Sequence, residues 1–103
     1  MTPTSVPEEY DPAQVFELLG DQSRVQILDE LYAQWYETPE DPCLPFSVLY
    51  ERVDIDDSGR FTYHLNRMCD GLIDKRETGY TLTPLGIQFG ILLANGSPTL
   101  PSQ

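Results

Sequence analysis

A mainly α fold carrying one small β-hairpin is what this chain predicts, and three observations predict it. Successive stretches place apolar residues at helical spacing, each opened by a capping residue or a proline. A single segment, "LIDKRETGYTLT" (Leu72 to Thr83), alternates as strands do on either side of a glycine-containing turn. At 103 residues and 40% apolar content, the chain suffices for one domain with a modest core and not for two.

Residues 1–10 hold prolines without periodicity and read as a flexible N-terminal arm; the domain spans 11–96, and "SPTLPSQ" (97–103) is a tail or linker. The arm has neither a basic cap nor an apolar stretch, so no secretory leader is expected. Asp11-Pro12 opens the first helix, with Asp at the cap and Pro at the first helical position. Val15, Phe16, Leu18 and Leu19 give it a short apolar face, and Gly20 ends it. The second helix starts at Asp21 or Ser23 and carries Ile27, Leu28, Leu31, Tyr32 and Trp35. It cannot pass Pro39 undisturbed, so the proline-rich "YETPEDPCLP" (Tyr36 to Pro45) reads as a loop.

"FSVLYERV" is a short third helix with Phe46, Leu49 and Val53 on one face; "DIDDSG" is a turn whose Ile55 points inward. Asp57 or Ser58 then caps a fourth helix over about 58–71. A short helix, a turn and a second helix make a helix-turn-helix. Along the fourth helix, Phe61, Leu65, Met68 and Leu72 fall within about 40° of one another and form the buried stripe. Arg60, Tyr63, Asn66, Arg67 and Asp70 lie opposite, and His64 sits on the flank nearer Arg60.

Ile73 and Lys75, then Tyr80 and Leu82, alternate around the three-residue link "ETG"; this hairpin, 73–83, is a wing. The order is therefore helix, helix, helix-turn-helix, wing, with a last helix from Thr83-Pro84: a winged helix-turn-helix. That last helix, "PLGIQFGILLAN", is apolar almost all round and needs burial on every side. So small a domain cannot surround it, so a second copy is expected to cover Leu85, Phe89, Ile91 and Leu92. Gly86 and Gly90, a small-xxx-small pair on a helix too short for a bilayer, read as dimer packing.

Charge locates the site. Seventeen acids against six bases give a formal net charge of -11. Such a chain repels nucleic acid and anionic membranes unless it concentrates positive charge locally. Its aromatic and aliphatic content argues against disorder, and a carboxylate surface that stays hydrated in molar salt is the favoured explanation. Four bases, Arg60, Arg67, Lys75 and Arg76, gather in residues 60–76 against Asp70 and Asp74, the chain's net-positive stretch. Cys43 and Cys69 make no disulfide framework; Cys69 reads as a small buried hydrophobe, and Cys43 as a plain loop thiol or a redox sensor. No nucleophile sits at a motif spacing, so neither an enzyme nor a cofactor is expected.

"LLGDQSRVQILDELY" resembles the second-helix signature of ArsR-type winged-helix repressors, matched by Asp21, Arg24, Ile27 and Leu28. "SGRFTYHLNRMCDGLIDKRETGYTLTPLG" resembles the recognition helix and wing of that superfamily, closest to its haloarchaeal members, through Tyr63-His64-Leu65 and Gly71-Leu72-Ile73. The resemblance covers roughly residues 11–93. It implies a homodimer paired through the first and last helices, bringing Val15, Leu18 and Leu19 to the interface, and DNA binding through the fourth helix and the wing. Metal-responsive members carry Cys-x-Cys near the third helix, or His and Asp ligands in the last. Here Cys43 stands alone and the last helix has no ligand, so no metal switch is expected.

The expected function is a sequence-specific, DNA-binding transcriptional regulator, a repressor by output, working as a homodimer on double-stranded DNA in the cytoplasm of a salt-loving archaeon. The fourth helix would enter the major groove, and half-sites would lie about 34–36 Å apart. Arg60 and Arg67 would reach base edges or phosphates, Tyr63 a phosphate, and Asn66 an adenine. Lys75 and Arg76 would hold phosphates or guard a strand edge. His64 stands either as a packed, hydrogen-bonded core residue or as a phosphate or base contact. Arg24 is expected to pair with a carboxylate and fix packing. The rival is a protein-interaction winged helix, or the N-terminal domain of a longer regulator.

Overall fold

Asp21 has extended backbone angles, and its carboxylate accepts the Ser23 N–H at 2.8 Å, which satisfies a donor that a helix start otherwise leaves unpaired. Helix α1 (Gln22–Glu37) follows from that cap and ends at Thr38, ahead of Pro39. The computed structural model describes Glu17, residues 19–69 and residues 71–96. The helix expected from Asp11 therefore falls almost wholly outside the described residues, as do Val15, Leu18, the arm, the tail and Asp70.

The order continues through α2 (Phe46–Arg52), α3 (Ser58–Met68), β1 (Ile73–Arg76), β2 (Gly79–Leu82) and α4 (Pro84–Gly96). Among the described residues the fold is mainly helical with one two-stranded antiparallel hairpin, as its patterning predicts. Asp57 caps α3 by accepting the Gly59 N–H at 2.9 Å. Thr83 caps α4 in the same way, accepting from the Gly86 N–H at 3.1 Å while its hydroxyl donates to the Gly71 carbonyl at 2.6 Å.

One core joins these elements. Ile27, Leu28 and Leu31 of α1 meet Leu49 and Val53, the Phe61–Leu65–Met68 stripe of α3, Leu72 and Ile73, Tyr80 and Leu82, and Phe89 of α4. Ile55 is buried as the turn predicts. Phe46 lies at the rim, 38% exposed, with its ring 5.0 Å from that of Phe61 in an edge-on contact.

Five expectations are corrected. The α3 helix ends at Met68 rather than near 71, because the chain turns at Cys69 to bring Leu72 into the core from outside the helix. The hairpin link is two residues, Glu77 and Thr78, because Gly79 pairs with Arg76 and belongs to β2. The loop before α2 is not wholly irregular: Leu44 and Tyr80 exchange backbone hydrogen bonds, both 2.9 Å, as an isolated antiparallel bridge on β2. Gly86 and Gly90 face inward. A Cβ on Gly86 would overlap the Leu72 carbonyl oxygen, and one on Gly90 would come within 2.6 Å of the Tyr32 ring. The pair lets α4 close on its own domain. Phe89, 8% exposed, likewise belongs to that domain's core and is not free for a partner. No described helix is long and apolar enough to cross a membrane.

Candidate nucleic-acid interface

The amphipathic pattern of α3 divides its side chains as helical geometry requires. Phe61, Leu65 and Met68 are buried, while Arg60, Tyr63, Asn66 and Arg67 are exposed on the other side. Asp57 fixes where that face begins, and the core stripe fixes its rotation about the helix axis. Arg67 Nη1 lies 3.5 Å from the Tyr63 hydroxyl one turn earlier, at the limit of a hydrogen bond.

The hairpin adds Lys75 and Arg76, both exposed. They differ in availability. Arg76 Nε donates to Asp74 Oδ2 at 2.8 Å, and this bond and charge hold its guanidinium further up than usual. The Lys75 ammonium lies 5.9 Å from the centre of the Tyr80 ring, its cross-strand partner, and has no carboxylate against it among the described ion pairs. Glu51, Asp56 and Asp57 are exposed just ahead of α3, so carboxylates border the basic face.

His64 does not join that face. It is 5% exposed, and its Nδ1 accepts a hydrogen bond from Arg24 Nε at 2.9 Å. Its place among the DNA contacts is therefore corrected, since the flank position turns inward against α1. Burial holds its imidazole below the ordinary value; the Asp21 carboxylate works the other way, and the Arg24 and Arg60 guanidiniums lower it further. Asp21 is itself held low, first by the Ser23 N–H. Arg24 is buried, as a packing role expects, and its Nε donates to the histidine ring. The partners are forty positions apart, and nothing local in the sequence pairs them.

Of the expected interface with a second copy, Ile91 and Leu92 are exposed, Leu92 by 60%. Leu19 and Leu85 are partly buried against the core. Among the described residues, no group of three or more His, Cys, Asp or Glu is placed to hold a metal.

Residues 12–90 match the family described as Domain of unknown function (DUF7347). The chain belongs to that family. No curated protein matches the chain, and no solved structure does. The DUF7347 match takes in the whole basic face of α3 and the hairpin, and it stops just short of Ile91 and Leu92.

Proposed function

We propose that this protein is a sequence-specific DNA-binding transcriptional regulator of the ArsR type, a repressor by output, acting as a homodimer in the cytoplasm. The observation that carries the reading is the exposed face of α3: Arg60, Tyr63, Asn66 and Arg67 project together from a helix whose other side is locked in the core. These side chains suit major-groove edges and phosphates. Exposed Lys75 on the hairpin suits a phosphate contact, and Arg76, bonded to Asp74, would share that role. Exposed Ile91 and Leu92 on α4 suit a second copy, and a two-fold dimer reads two half-sites.

A second reading, a winged helix that bridges proteins, is favoured by the net charge of -11 and by exposed Tyr36, Ile91 and Leu92. The two separate in one experiment. Selection from a random duplex pool at low salt should enrich a palindromic site for the parent and none for a variant carrying Arg60→Ala and Arg67→Ala. A parent chain that retains no duplex at low salt would remove the DNA reading.

A further inference from the structure

Directly beneath the exposed face of α3, three groups from two helices meet. The Nδ1 of buried His64 accepts from Arg24 Nε at 2.9 Å. A ring nitrogen that accepts carries no proton, so the imidazole is neutral with its proton on Nε2. That Nε2 faces Asp21 Oδ2 at 3.9 Å, beyond a direct hydrogen bond. The Arg24 guanidinium carbon lies 5.9 Å from the centre of the Tyr63 ring, and Tyr63 meets His64 edge-on with ring centres 5.5 Å apart. Tyr63 in turn approaches Arg67. Among the described residues, the charged groups facing His64 are Asp21 at the cap of α1, Arg24 of α1 and Arg60 of α3 itself.

We propose that the Arg24–His64 bond is an acid-released latch, which holds α3 in place on α1 and sets Tyr63 on the outer face. A second proton on His64 has to go to Nδ1, the nitrogen that Arg24 occupies. Two N–H donors, both on cations, would then confront each other, and the bond cannot survive. Arg24 must withdraw from behind Tyr63. The carboxylate of Asp21 remains to receive the Nε2 proton of the cation, so the released state has a partner of its own. The sign follows from the direction of the shift. Burial lowers the folded-state value below 6.5, so the latch is whole above that pH and is lost as pH falls through the folded value. The consequence for DNA rests on the function proposed above; the latch itself does not.

The test uses the whole chain and nitrogen-15 spectra of the histidine ring between about pH 5 and 8. The expected result is an Nε2-protonated ring at neutral pH and a midpoint below 6.5, with Arg24 Nε and Tyr63 ring signals shifting at that midpoint. DNA affinity should fall on acidification, about tenfold for each unit separating the latched and released values. That direction is diagnostic, because protonating an acidic chain otherwise strengthens its binding to a polyanion. His64→Asn keeps an acceptor near the Nδ1 position without titrating, and should abolish the weakening. An Nδ1-protonated ring at neutral pH, a midpoint at or above 6.5, or Arg24 and Tyr63 signals indifferent to it would overturn the latch. Should His64→Asn fail to fold, the parent's ring spectra still decide. If the parent binds no duplex at neutral pH, the DNA reading falls and those same spectra still judge the latch.

Discussion

Gly79 adopts φ 147°, and a side chain there would overlap the backbone of Leu44. Gly71 has nothing within 4 Å of an added Cβ. Gly79→Ala should therefore cost about 1–3 kcal/mol, while Gly71→Ala stays within about 0.5 kcal/mol, both read from denaturant midpoints. On the outer face, Arg67→Ala should lower affinity for a selected operator by about 1–3 kcal/mol per half-site if Arg67 reads a guanine. Lys75→Ala should weaken selected and random duplexes alike. Equal losses on both DNAs for Arg67→Ala would reduce it to a phosphate contact. The outer residues were legible because a helical period sorts them, with Phe61 and Leu65 marking the inside. His64 and Arg24 were not, because a flank position does not say which way a ring turns and their pairing is long-range.

Elements were legible where a cap and a period coincide. Asp57 with Phe61, Leu65 and Met68 defines α3, and Asp57→Ala should remove about 1 kcal/mol of stability by leaving the Gly59 N–H unpaired. The far end of α3 was misplaced by the core position of Leu72, which continues the helical spacing from beyond the helix. Helix α4 illustrates the other failure. Uniform apolarity does not tell which side faces home. Gly86, Phe89 and Gly90 turn inward and Leu92 outward. Phe89→Ala should thus destabilise the fold by about 3–5 kcal/mol. Leu92→Asp should leave the fold intact and convert a dimer to a monomer in sedimentation, since a charge buried unpaired in that contact costs several kcal/mol. A parent already monomeric at micromolar concentration would sink the dimer.

At the scale of the whole molecule, a net charge of -11 opposes DNA binding, and salt should expose how this is resolved. Each phosphate neutralised releases counterions, with a slope near -0.9 per contact, so about eight contacts in a dimer would leave little binding at molar salt. Exposed Glu51, Asp56 and Asp57 border α3 and can take up cations as DNA approaches. Specific binding is therefore expected to persist above about 1 M KCl, with a slope far shallower than the bases imply. An affinity titration against KCl that falls steeply, with binding gone before about 0.5 M, would assign these carboxylates to solubility alone.

The two-way bridge between Leu44 and Tyr80 has a consequence in time rather than in space. Both amides donate across it, so neither can exchange its hydrogen with solvent until the loop after α1 lifts from β2. The Leu44 amide, although in a proline-rich loop, should exchange at the Tyr80 rate rather than at the rate of its own neighbours. Loop and hairpin then open as one cooperative unit. A perturbation anchored near Cys43 would be felt first as faster deuteration of β2, before global unfolding accelerates.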